Sequence, residues 1–254
     1  ALPISMKCAG VNKPVYIEKP LTTKYEDAKK LVLFFDKKSI PVFVAHYRRS
    51  LDRFIKAKEL IRGRLGEIVR FDYKLSRKRE DDANHPWLYD KELSGGGKFA
   101  DIAPHSLDIF QFFFGELSDV KSFFRHMGAP NNTEDFVSLM LRFCGGVIGT
   151  AVYDFLSSKK EDSFVVYGLN GSLEMSFHGE EPVVLKTKQE TVTFNFPFPE
   201  FIQEKMIQDV IDFLRDGNGA PCFAKNSINT IRVIEDTLNG IDSVEFLVDD
   251  VAIA

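Results

Sequence analysis

The sequence predicts two folding regimes: a short parallel α/β unit over residues 1–46, then an α+β domain over residues 47–254 with a large, mostly antiparallel open sheet. Three observations carry this reading. Two uniformly apolar strand segments flank one amphipathic helix near the start. A long succession of strand segments joined by tight turns runs from residue 120. Two helical segments close the chain.

In the first regime, Val15–Ile17 is a short apolar strand bracketed by Pro14 and Pro20. Tyr25–Asp36 follows as a helix, with Ala28, Leu31, Val32 and Phe35 on one face. Thr22 or Thr23 is its expected cap, and Glu26 and Asp27 favour the positive end of its dipole. Residues 41–45 form a second apolar strand. Two strands apolar throughout, joined by a helix, make a βαβ unit buried on both faces.

In the second regime, residues 51–62 read as an amphipathic helix ending near Gly63. Ile68–Ser76 alternates, with Phe71, Tyr73 and Leu75 on one face and Arg70, Asp72 and Lys74 on the other. Residues 99–114 are helical. Strands are expected over 120–126, 136–143, 147–155, 163–167, 172–176, 183–187 and 191–196. Cys144-Gly145-Gly146 and Leu169-Asn170-Gly171 are tight turns, which make their flanking strands antiparallel. The closing helices cover 199–215 and 227–239, stopped by Gly217 and Gly240.

Composition narrows the function classes. The chain has 254 residues, 44% of them hydrophobic, which is enough for one large core or two small ones. Its net charge of −4, with no long basic block, argues against nucleic acid as a partner. No apolar run approaches the about 20 residues of a membrane span. Cys8, Cys144 and Cys222 are too few and too scattered for a disulfide framework, which points to a reduced, cytoplasmic protein. The first residues show neither an initiator Met nor the charged and apolar regions expected of a signal peptide.

Four segments carry candidate chemistry. Glu18-Lys19-Pro20 sits just past the C-terminal end of a parallel strand, where ligands bind in open α/β sheets; a solvated surface turn is the plainer reading. His46-Tyr47-Arg48-Arg49 follows the second strand in the same way, and is either a polyol- or carboxylate-binding turn or a basic turn opening the next helix. Gly95-Gly96-Gly97 opens a helix and leaves backbone N–H groups free for a ligand. Asp101 and His105 lie one turn apart on that helix. They read as a helix cap with a buried imidazole, as an acid/base pair in which the carboxylate raises the imidazole pKa, or as two metal ligands. His46, His85, His126 and His178 show no metal-site spacing. Trp87 and Tyr89 lie near the loop Asn84-His85-Pro86, as a sugar-stacking platform or as packing.

In this order the segments resemble a known family. Residues 13–21, Lys-Pro-Val-Tyr-Ile-Glu-Lys-Pro-Leu, resemble its signature strand and EKP turn. Ala45-His46-Tyr47-Arg48-Arg49 resembles the strand that ends its dinucleotide-binding domain, and residues 62–68 resemble its Gly-x-x-Gly-x-Ile entry to the second domain. Residues 94–108 resemble its GGG-x3-D-x3-H-x2-D segment. The family is that of glucose-fructose oxidoreductase, inositol dehydrogenase and MocA (Gfo/Idh/MocA).

The resemblance implies the end of a Rossmann domain over 1–46 and a GAPDH-like substrate-binding and oligomerisation domain over 47–254. It implies hydride transfer between NAD or NADP and a sugar, inositol or related polyol. Lys19, Asp101 and His105 would be catalytic, with His105 the acid/base. Glu18, Lys19 and Pro20 would meet the cofactor, and Tyr47, Arg48 and Trp87 the substrate. No metal is implied. The open sheet would form a homodimer or homotetramer. One departure stands out: no Gly-x-Gly-x-x-Gly turn occurs in the sequence. The expectation is a chain short of the front of its cofactor domain, itself inactive, with activity belonging to a longer parent. The rival readings are a sugar-binding regulatory relative without chemistry and a metal-dependent isomerase.

Overall fold

A computed structural model describes residues 2–77, 86–241 and 243–246. The chain opens with a helix the sequence reading did not anticipate, α1 (Leu2–Gly10), followed by β1 (Val15–Ile17), α2 (Tyr25–Asp36) and β2 (Val42–Val44). β1 and β2 pair in parallel, Val15 with Val42 through Ile17 with Val44. β2 gains a second neighbour at its outer edge, where the Val44 N–H donates to the Cys222 carbonyl at 2.8 Å and Phe43 bridges Phe223. The apolar face of α2 packs as its spacing predicts, burying Ala28, Leu31, Val32 and Phe35 against Ile17, Val42 and Val44, with Ile228 and Ile231 from the far end of the chain.

The cap of α2 differs from expectation. Neither Thr22 nor Thr23 caps it; Thr22 donates to the Lys24 carbonyl instead. The Tyr25 N–H donates to a Glu235 carboxylate oxygen at 2.6 Å, so a carboxylate from a distant helix satisfies the first turn.

The rest of the chain is α3 (Asp52–Arg64), β3 (Ile68–Ser76), α4 (Lys91–Ser94), α5 (Lys98–Phe114), β4 (Leu117–Arg125), β5 (Phe136–Phe143), β6 (Ile148–Asp154), β7 (Glu161–Gly168), β8 (Gly171–Met175), β9 (Val183–Thr187), β10 (Thr191–Phe194), α6 (Glu204–Asp216), α7 (Ile228–Leu238) and β11 (Ser243–Glu245). α3 runs through Gly63, because nothing crowds that position; the chain turns at Gly66, whose φ of +70° is the left-handed conformation glycine tolerates best. α6 begins later than expected, at Glu204.

Nine strands form one sheet in the order β10-β9-β8-β7-β3-β6-β5-β4-β11. Strands consecutive in sequence from β4 to β6 and from β7 to β10 pair antiparallel, and β3–β7 and β4–β11 are antiparallel across long stretches of chain. The exception lies at the centre: β3 and β6 pair in parallel, Arg70 with Ile148 through Ser76 with Asp154. One face of the sheet carries α3, α5 and α7. There Phe71 sits among Phe110, Phe114, Phe143 and Phe164 at ring-centroid distances of 4.8–6.0 Å. The other face is a mixture of charges and apolar side chains, including exposed Phe123 and Met140. Among the described residues, no helix is long and apolar enough to cross a membrane.

Candidate active site

Because β1 and β2 run in parallel and end level with each other, the residues after each strand leave the same edge side by side. Lys19 and His46 through Arg49 are those residues. Helix α5 lies across that edge and is clamped to it twice. Arg49 holds Asp108 bidentately, from Nε at 2.8 and 3.0 Å and from Nη2 at 2.7 Å, and Asp108 is only 1% exposed. About two turns earlier, Lys19 Nζ donates to Asp101 Oδ1 at 2.7 Å and to the Asp101 carbonyl at 2.9 Å.

Asp101 is therefore the partner of Lys19, and no hydrogen bond joins it to His105 among the described residues. His105 sits edge-on to Tyr47, with ring centroids 5.6 Å apart, and 6.3 Å from His178. Its pKa lies well below the ordinary 6.5, because burial disfavours the charged ring and Arg48 and Lys19 add positive potential. This reverses the expectation that Asp101 would raise it. The carboxylate's charge is spent on Lys19, and the cations prevail. His105 is a neutral imidazole at neutral pH.

Arg48 is 5% exposed, and its hydrogen bonds among the described residues go to neutral acceptors: the Phe177 carbonyl at 3.4 Å, the Tyr47 hydroxyl at 2.9 Å and His178 Nδ1 at 3.0 Å. Burial together with Arg48 pushes the His178 pKa down to about 2. His178 and Asp101 share a cleft of about 650 Å³ with Ile102, Arg77, Lys98 and Asp162. His178 was missed in the sequence because it follows β8, a strand far along the chain, and its neighbours are set by the sheet.

The glycine triplet plays a different part from the one expected. Its N–H groups are not left free for a ligand. The Glu134 carboxylate accepts from Gly97, Phe99 and Ala100 N–H at 2.8, 3.0 and 3.2 Å and so caps α5. Glycine is needed there for space. A Cβ on Gly96 would stand 2.6 Å from Leu238, and one on Gly97 2.8 Å from Thr133.

The remaining candidates lie around this centre. Glu18 accepts from the Gln203 amide at 2.8 Å. The Lys19–Pro20 peptide is cis. Trp87 lies on a 3-10 turn (Pro86–Tyr89) with half its surface exposed, and its neighbour Leu88 lines the cleft. Asn84 and His85 lie outside the described residues. His46 is buried 3.9 Å from Asp108. Among the described residues, no three His, Cys, Asp or Glu side chains gather as a ligand set.

Residues 54–174 match the GFO/IDH/MocA C-terminal domain. The chain is similar to GFO/IDH/MocA proteins over that stretch. It is 27% identical to oxidoreductase P35 of Formosa agariphila over 92% of this chain and 74% of that protein. It is 23% identical to the scyllo-inositol 2-dehydrogenase (NADP(+)) IolW of Bacillus subtilis over 91% of this chain and 71% of that one. Its fold superposes on a levoglucosan dehydrogenase solved with NADH and levoglucosan, with a TM-score of 0.84 at 18% identity, covering 96% of this chain and 77% of the other. These GFO/IDH/MocA relatives are oxidoreductases.

Proposed function

We propose that this chain supplies the substrate side of an NAD(P)-dependent oxidoreductase that moves a hydride between nicotinamide and a hydroxyl-bearing carbon of a sugar, inositol or related polyol. The observation that carries this reading is a neutral His105 beside the Lys19–Asp101 ion pair at the edge where both parallel strands end. A neutral imidazole is ready to accept a hydroxyl proton. Lys19, fixed by Asp101, places an ammonium group beside that hydroxyl, where it steadies developing negative charge on oxygen. Nicotinamide, when bound, takes up the hydride. Tyr47 and Arg48 complete the substrate wall, and Trp87 its rim.

Only part of the cofactor finds a fit in this chain. The Glu18–Lys19–Pro20 turn stands where a ribose would pass, whereas no Gly-x-Gly-x-x-Gly turn for a pyrophosphate occurs among the 254 residues. Weak cofactor affinity and little activity are therefore expected of these residues alone. Residues 1–46 are assigned to the cofactor side, and 47–254 to substrate binding and assembly. The mixed outer sheet face, with exposed Phe123 and Met140, is assigned to a homodimer or homotetramer, which sedimentation checks. Three free cysteines suit a reducing cytoplasm.

The test uses the full-length protein. His105→Ala should lower turnover about 10²–10⁴-fold on the responsive polyol. An NAD(P)H fluorescence titration showing no shift at millimolar cofactor would remove the dehydrogenase reading.

A further inference from the structure

His178 has no part in the reading above, yet the structure builds it with care. The loop from Ser176 to Glu181 is gripped from two sides. Arg53 donates to the Ser176, Gly179 and Glu181 carbonyls at 3.0, 2.5 and 2.9 Å. Asp162 accepts from the N–H groups of Phe177, His178 and Gly179 at 3.1, 2.5 and 3.0 Å. A buried arginine and a carboxylate, each with three backbone partners, hold five peptide groups of one short loop in place.

The loop presents one imidazole to the cleft. Its tautomer is fixed by chemistry. A guanidinium can only donate, so Nδ1, 3.0 Å from Arg48 Nη2, must be the bare acceptor nitrogen. The ring proton therefore sits on Nε2. That N–H is buried and finds no acceptor anywhere among the described residues. Native structures rarely leave a buried donor unmatched without a ligand to match it. The ring stands 6.3 Å from His105, on the same wall.

We propose that His178 is a specificity-determining residue, donating from Nε2 to an oxygen of the substrate next to the oxygen handled by His105. This rests on the polyol oxidoreductase reading. It adds that the substrate carries oxygens on two adjacent carbons, one for each histidine. His178 stays neutral throughout the working range, so it binds and does not exchange protons.

Imidazole ¹⁵N–¹H spectra of the full chain test this, with myo-inositol, D-glucose and levoglucosan as probes. His178 should appear as the Nε2–H tautomer from pH 5 to 8, and a bound probe should move the His178 and His105 signals together. His178→Phe keeps the ring volume without the donor and should weaken that probe at least tenfold, while His178→Gln, which keeps a donor, recovers part of the loss. An Nδ1–H tautomer, titration of His178 within that range, or unchanged affinity in His178→Phe overturns the proposal. So does a probe that shifts His105 and leaves His178 still, with the polyol reading intact. If no probe moves either ring, the polyol reading falls and the proposal falls with it.

Discussion

The parallel pair β1–β2 contributes three residues per strand to its ladder, whereas β3 and β5 in the large sheet contribute nine and eight. Most of the candidate site nevertheless hangs from the short pair. Lys19, Tyr47, Arg48 and Arg49 all follow β1 or β2, and the nine-stranded sheet adds His178 and the floor on which α5 rests. The lesson is geometric. Two parallel strands that stop level with each other deliver several polar side chains to one place without burying any strand edge between them. A long antiparallel sheet disperses its loops to both ends and serves mainly as a rigid backing. The junction where the two regions meet, through α5, should therefore be the most sensitive part of the molecule.

The largest effect should come from breaking that junction. Arg49→Met strands the Asp108 carboxylate in the interior and should destabilise the fold by about 3–5 kcal/mol, read from urea unfolding. Acid should attack the same place. His46, His105 and His178 are all held below 6.5, chiefly by burial. Below pH 6.5 the unfolded chain takes up protons that the folded chain refuses. Stability then falls with falling pH, by up to about 4 kcal/mol per unit for three such groups. Urea midpoints at pH 7 and pH 5.5 check the sign, and an unchanged midpoint would contradict neutral burial of these rings.

Inside the large sheet, Gly149→Ala drives a methyl group into the Phe71 ring and should cost about 1–3 kcal/mol, with the junction unaffected. If this substitution proves more damaging than Arg49→Met, the contrast between junction and backing is wrong. At the surface, Lys205→Met removes an exposed pair with Asp52 and should change stability by at most about 1 kcal/mol.

Local pattern made much of this legible. The βαβ unit, the alternation of β3 and the run of hairpins follow from periodicity and turn residues, and Lys19 and His105 stand out by position. What escaped was long-range. Glu134 caps α5, and Glu235 meets the first turn of α2, across sequence distances that no spacing rule links. The Asp101–His105 spacing on one helix suggested a pair, but Lys19 arrives from β1 and takes the carboxylate. His178 is conspicuous only once Arg48 is seen to fix its ring. The parallel β3–β6 pairing was hidden because the neighbours of β3 are not its neighbours in sequence.

That central pairing has a consequence for how the chain is made. β3 emerges from the ribosome early, followed by α5, β4 and β5, while its two ladder partners begin only at Ile148 and Glu161. A nascent chain halted before Ile148 therefore carries a nine-residue strand bare along both edges, which is a template for pairing with other chains. During that interval Phe71, Tyr73 and Leu75 have helices α3 and α5 to rest on, and Arg70, Asp72 and Lys74 place alternating charge on the open side. These three charged residues act as gatekeepers for a strand that must wait for its partners.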